Sequence, residues 1–204
     1  AEGLMKKIVL ASNNQGKLRE LQEMLAPLGL ELVRQGELGI PEAEEPHRTF
    51  LENALAKARH AAKLSGLPAL ADDAGLCVDA FGGLPGVETA YYTTRFGLDK
   101  GDGNNVTALL QQMRDIGNRR AAMVSTLVAL RSADDPEPLV AVGRVVGEIA
   151  RERRGSNGFG FDPVMFIPEF GKTFAELPIE VKNANSHRGR AAHAMVELIR
   201  LNWL

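Results

Sequence analysis

At 204 residues, 45% hydrophobic and 25% charged, the chain suits one soluble globular domain, or one domain with two lobes, around a sizeable core. Its formal net charge of −2 gives no basic field for non-specific nucleic-acid binding, and its single cysteine, Cys77, excludes an internal disulfide and a multi-cysteine zinc site. No apolar run approaches membrane-spanning length and no signal-peptide pattern stands at the N-terminus, so the expectation is a cytoplasmic protein with no membrane or nucleic-acid partner. Residues 1–4 read as a cloning remnant before one domain spanning 5–204.

Lys6 to Ala11 is a short apolar run of strand type, and Leu18, Leu21, Met24 and Leu25 then recur at helical spacing. Between them lies the polar turn Ser12-Asn13-Asn14-Gln15-Gly16-Lys17. Strand, polar turn and helix present backbone N–H groups and a positive dipole end to an anion, and Lys17 adds a point charge suited to phosphate. The turn is not a P-loop, and the same residues also suit a plain helix capped by Ser12 or Asn14 with Lys17 solvated. Pro27-Leu28-Gly29 stops this helix, and Leu30 to Val33 reads as a second strand. A polar loop from Gly36 to Arg48 holds Glu42, Glu44 and Glu45. Thr49-Phe50-Leu51-Glu52 matches a capping box in which Glu52 reaches back to the Thr49 amide, heading a helix to about Leu64.

That helix leads into Leu67 to Ala71, a run too short for a helix and so read as a buried strand ending at Asp72 and Asp73. Carboxylates just past the end of a buried strand lie where α/β proteins place ligands, and two adjacent like charges need a basic partner, solvent or a divalent cation. Hard oxygens of this kind suit Mg²⁺ shared with substrate phosphates; a solvated Asp-Asp turn is the plainer alternative. After the turn-rich Gly82 to Gly86, a helical pattern runs from Val106 to Met113. Ala121 to Leu130 and Leu139 to Val146 read as an antiparallel hairpin. In Gly155 to Pro163, glycines on both sides of Phe159 let the backbone bend and leave a ring face for a planar base, with Asp162 an acceptor nearby; a core Phe159–Phe161 pair is the alternative. Thr173 to Glu176 forms a second capping-box pattern, and His187 and Arg188 open a last helix capped by Asn185 or Ser186. Cations at a helix N-terminus oppose the dipole, which points to an acceptor-rich partner.

Four motifs in order, Ala-Ser-Asn-Asn-Gln-Gly-Lys, Thr-Phe-Leu-Glu-Asn-Ala, Ala-Asp-Asp-Ala-Gly-Leu with Gly-Gly-Leu-Pro-Gly, and Gly-Phe-Gly-Phe-Asp-Pro followed by Ser-His-Arg-Gly, give the chain a family resemblance. It resembles the non-canonical purine nucleoside triphosphate pyrophosphatases, the HAM1 or inosine triphosphatase family. The resemblance implies an α/β fold of two lobes around a long mixed β-sheet with a central nucleotide-binding cleft, usually as a homodimer. It implies Mg²⁺-dependent hydrolysis of ITP, dITP and XTP to nucleoside monophosphate and pyrophosphate. Ser12, Asn13, Asn14, Gln15, Gly16 and Lys17 would then hold the triphosphate, and Asp73, helped by Asp72 and Lys17, would carry the chemistry. Asp73 with Glu44 or Glu45 would bind the metal. Ala74, Phe159, Gly160, Phe161, Asp162, Lys182, His187 and Arg188 would bind the rest of the nucleotide. The chain departs from the family's usual residues at Asn13, Ala74, Asn157 and Phe161. A Maf-type pyrophosphatase, sharing the acids but not the base pocket, and a non-catalytic nucleotide sensor are the rival readings.

Overall fold

The computed structural model describes residues 6–204, so the expected cloning remnant lies outside the described residues. Seven strands form one mixed sheet in the order β2-β1-β3-β4-β5-β6-β7: β1 Lys6–Leu10, β2 Leu30–Arg34, β3 Ala69–Val78, β4 Arg120–Leu130, β5 Leu139–Ile149, β6 Met165–Ile167 and β7 Lys172–Thr173. The helices are α1 Gln15–Leu25, α2 Phe50–Ser65, α3 Asp102–Met113, α4 Ile179–Asn185 and α5 His187–Trp203. Among the described residues no helix is long and apolar enough to cross a membrane. The chain divides into two compact units.

The first unit takes the chain up to Asp73, then Ser125–Gly143 and Arg190–Leu204. Here β1 pairs in parallel with both β2 and β3, and Ile8, Val9 and Leu10 are all buried because helices cover both faces of the sheet. Residue parity sorts the two faces. Ile8, Leu10 and Leu70 pack with Leu21 and Leu25 of α1 and Ala191, Met195 and Ile199 of α5. Val9, Ala69 and Ala71 pack with Ala54, Ala58, Ala61 and Ala62 of α2, whose alanine stripe leaves little side-chain bulk between helix and sheet.

The strand after α2 corrects the sequence reading. It runs from Ala69 to Val78, so Asp72 and Asp73 lie inside it and not past its end. An apolar run marks a strand only while its neighbours are apolar, and here Lys17 of α1, Lys57 of α2 and Ser125 of β4 meet the two carboxylates. The alternation set by Leu70 and Ala71 carries on through the acids.

The second unit takes Ala74–Val124 and Arg144–Gly189. Its core gathers Leu76, Val106, Leu109, Met113, Phe161, Met165 and Phe174, and β5, β6 and β7 pair antiparallel at its edge. α3 starts at Asp102, four residues before the apolar pattern, because its first inward position is polar. The buried Asn105 side chain accepts from Thr93 N at 2.9 Å and donates to Ala90 O at 3.1 Å. Thr173 to Glu176 is a capping box as expected, but it heads only a single 3-10 turn.

Candidate active site

The turn between β1 and α1 is built by its own side chains. Asn14 caps the helix, its Oδ1 accepting from Lys17 N at 3.0 Å, and Ser12 Oγ accepts from Asn14 N at 3.1 Å. Asn13 and Gln15 turn toward the neighbouring loop. Asn13 Oδ1 accepts from Gly36 N at 2.9 Å, and a Cβ on Gly36 would come within 2.5 Å of that oxygen, so a side chain there would push the Asn13 amide aside. The Gln15 amide, oriented with its oxygen toward Arg34, accepts from both guanidinium nitrogens at 2.9 and 3.0 Å. These bonds fix the turn's shape and place Lys17 in the first turn of α1.

Strand parity then separates the two acids. Asp72 follows Leu70 onto the α1 side, where its Oδ2 lies 2.9 Å from Lys17 Nζ and its Oδ1 accepts from Ser125 Oγ at 2.7 Å. Asp73 follows Ala71 onto the α2 side, where its Oδ1 lies 3.7 Å from Lys57 Nζ. The same ammonium lies 2.7 Å from Glu45 Oε1 and donates to the backbone oxygen of Asp72 at 2.7 Å. Burial pushes the Asp73 carboxyl from its ordinary 3.8 up to about 6; Lys57 opposes the rise, while Glu45 and Asp72 add to it and a hydrogen bond from Asn53 lowers it slightly. Asn53 is held in turn by the His47 backbone, its Oδ1 accepting from His47 N and its Nδ2 donating to His47 O. The capping box differs from expectation here: Thr49 Oγ1 takes the Glu52 amide at 3.1 Å, while the Glu52 carboxylate accepts from the Thr49 hydroxyl at 2.7 Å and not from its amide.

In the second unit a pocket is lined by Ala74, Asp102, Phe159, Phe161, His187 and Arg188 among others. The two phenylalanines part company: Phe161 is 2% exposed and packs in the core against Tyr92, while Phe159 is 51% exposed. Lys182 Nζ and Arg188 Cζ stand 4.6 and 4.8 Å from the Phe159 ring centroid, cation–π contacts that fix the ring's position. Asp162 holds this corner together, its Oδ2 accepting from Phe159 N at 3.0 Å and from the buried Lys182 Nζ at 2.6 Å. Gly158, at φ +74°, is required twice over, since a Cβ there would meet Asp162 Oδ2. Ser186 Oγ caps α5 by accepting from Gly189 N at 3.1 Å, which sets His187 and Arg188 in its first turn.

The sequence model of the Ham1 family matches residues 8–198. The chain belongs to the Ham1 family. It is 78% identical over 198 residues to a dITP/XTP pyrophosphatase of Albidiferax ferrireducens, with 97% of this chain and 100% of that protein covered. A dITP/XTP pyrophosphatase of Paracidovorax citrulli is 76% identical, covering 97% of this chain and 99% of the relative. A solved HAM1 protein from Coxiella burnetii superposes with a TM-score of 0.92 at 42% identity, covering 97% of this chain and all of that one.

For this Ham1 chain, Ser12, Asn14, Lys17, Asp72, Asp73 and Glu45 are gathered within the first unit. Ala74, Phe159, Gly160, Phe161, Asp162, His187 and Arg188 line one pocket within the second, with Lys182 against Phe159. Glu44 is exposed; the loop carboxylate drawn in by Lys57 is Glu45. Sequence reasoning missed Lys57, Asn53 and Ser125. Lys57 had a signal: it stands five residues after Glu52, off the alanine stripe of α2. Ser125, in the middle of an apolar strand, had one too.

Proposed function

We propose that this chain hydrolyses dITP, ITP and XTP to the nucleoside monophosphate and pyrophosphate. The observation that carries this reading is Asp73, a carboxylate lifted to about 6 and held against Lys57 and Glu45, one residue along β3 from the Asp72 that meets Lys17 on the other face. A carboxyl with that pKa is a stronger base than an ordinary aspartate and is still ionised at neutral pH. Asp73 orients a water and takes its proton as the water attacks the α-phosphorus. Lys17 and the N-terminal turn of α1 hold the phosphate chain and steady the charge on the departing pyrophosphate.

Mg²⁺ belongs to the same proposal. Asp73 Oδ2 is buried without a hydrogen-bond partner, and its other oxygen shares Lys57 with Glu45, so two carboxylates stand together with one oxygen still to be satisfied. Among the described residues no three His, Cys, Asp or Glu side chains gather as a closed cage. Two carboxylates completed by substrate phosphates are the donor set that Mg²⁺ commonly uses, and Asp73 and Glu45 fit it. Bound there, the ion would polarise phosphate oxygens and offset their charge.

The purine is assigned to the Phe159 pocket. Its ring stacks on Phe159, and donors from His187 and Arg188 favour a 6-oxo group, whereas the 6-amino group of adenine would leave a donor unpaired. The Ham1 family match and relatives that are dITP/XTP pyrophosphatases favour this reading over the Maf-type one. The family's usual homodimer and a cytoplasmic location are part of the same proposal.

The test is pyrophosphate release with Mg²⁺ across dITP, ITP, XTP, GTP, ATP and dTTP. Turnover concentrated on the first three, with pyrophosphate as direct product, is expected. Direct release of orthophosphate, or equal turnover of ATP, would overturn the reading.

A further inference from the structure

The second unit holds another cavity, of about 340 Å³, that shares no lining residue with the Phe159 pocket. Its wall is cationic. Arg114, Arg119, Arg151 and Arg153 all contribute, and no carboxylate lines it among the described residues. Arg119 is locked in place by backbone carbonyls: Nε donates to Ile149 O at 2.7 Å, Nη1 to Met113 O at 2.7 Å and Ile116 O at 3.3 Å, and Nη2 to Ala150 O at 3.1 Å. Arg153 Nη2 is fixed by Gly103 O at 2.9 Å and Thr107 Oγ1 at 2.7 Å. Neutral acceptors satisfy these donors without cancelling their charge. The side chains of Arg114 and Arg151 are exposed and, among the described residues, form no hydrogen bond or ion pair within the chain.

Four guanidinium groups around one cavity repel one another, and the fold offers little to offset them. The C-terminal end of α3 favours one cation at Arg114, and Glu148 offsets part of the charge at Arg119. Burial and the nearby Arg151 lower the Arg119 pKa, the sign of a cation held against its preference. Guanidinium forks match phosphate oxygens two at a time, and a cavity of this volume lies within the range that holds small ligands. An overall charge of −2 does not favour an extended polyanion, whereas a compact one fits a half-open hollow lined by four arginines.

We propose that this arginine-lined cavity binds a small polyphosphate, either free or as the phosphate tail of a nucleotide, at a site distinct from the Lys17 turn and the Phe159 pocket. Arg119 and Arg153 form its fixed floor, and Arg114 and Arg151 close on the anion. The proposal does not depend on which bond the enzyme cleaves.

Calorimetric titration with inorganic tripolyphosphate in EDTA tests it, on the intact chain, on Arg114→Gln/Arg151→Gln and on Lys17→Gln. The wild type is expected to show two classes of site. The double variant should lose at least tenfold in affinity at one of them, while Lys17→Gln should keep that one. An unchanged isotherm in the double variant, or loss of all binding in Lys17→Gln, would overturn the proposal. Should the glutamine variant fail to fold, Arg114→Lys/Arg151→Lys keeps the charges but loses the forks. A several-fold weakening is then expected, and wild-type affinity counts against the site. Repeating the titration with a non-hydrolysable nucleoside triphosphate separates the two sources: tighter binding than tripolyphosphate at the arginine-dependent site assigns a nucleotide, and equal binding assigns the free anion.

Discussion

Asp72 and Asp73 are consecutive in β3 yet face opposite sides of the sheet, each meeting its own lysine: Lys17 at 2.9 Å from Asp72 and Lys57 at 3.7 Å from Asp73. Their like charges are therefore not stacked in one turn. The strand's two-residue period divides them between α1, which carries Lys17, and the alanine-faced α2, which carries Lys57. Asp72 anchors Lys17; Asp73 is left as the carboxylate whose protonation can change near neutrality.

Asp73→Asn should cut turnover by about a hundredfold to ten-thousandfold, as for loss of a general base, while nucleotide binding persists. It should also stabilise the metal-free protein. The folded-state pKa is raised, so the native state holds its proton more tightly than the unfolded chain, and stability falls as pH rises from about 4 to about 6. The full shift corresponds to an upper figure of roughly 3 kcal/mol at 1.36 kcal/mol per unit. Thermal melts in EDTA at pH 7.5 should therefore place Asp73→Asn above the wild type, and the two should converge at pH 4. A variant that melts lower at pH 7.5 would deny Asp73 its buried-charge burden.

Lys57→Met removes the interaction that holds the Asp73 pKa down, so the acidic limb of the pH–rate profile should move to higher pH. Each unit of movement lowers the ionised fraction about tenfold below the midpoint. The rate at pH 6 should thus fall more than the rate at pH 8.5. A uniform fall at every pH would make Lys57 a structural contact only.

Much of this arrangement was legible in the chain. The Ser12–Lys17 turn, the capped α2 and the Gly158–Phe159–Gly160 bend all carry local signatures, because caps and positive-φ glycines depend on near neighbours. The family motifs gathered the acids. What could not be read was the division of Asp72 from Asp73, since that depends on β3 continuing through polar residues met by distant Lys17, Ser125 and Lys57. The start of α3 at Asp102 was hidden for a similar reason: Asn105 occupies an inward position that an apolar pattern cannot mark.

The two phenylalanines should respond oppositely. Phe159→Ala removes a half-exposed ring, so stability should change little while KM for dITP or XTP rises, stacking on an aromatic ring being worth about 1–3 kcal/mol per base. Phe161→Ala empties a buried core position and should lose about 3–5 kcal/mol in denaturant unfolding. A large stability loss in Phe159→Ala, with KM unchanged, would make that ring part of the scaffold.

The buried Asp162–Lys182 pair should show strong coupling. Both side chains are almost fully removed from solvent at 2.6 Å separation, so removing either partner strands a charge, at about 3–5 kcal/mol. The two single variants should still differ. Asp162→Ala also releases the Phe159 amide and the position of its ring, so it should raise KM as well as lower stability. Lys182→Met leaves that amide bond in place and retains an unbranched apolar stem beside the ring. Its loss should therefore fall more on stability than on KM. The double variant should be less destabilised than the sum of the singles, because no unpaired charge remains; additive losses in a double-mutant cycle would show that the pair is not coupled.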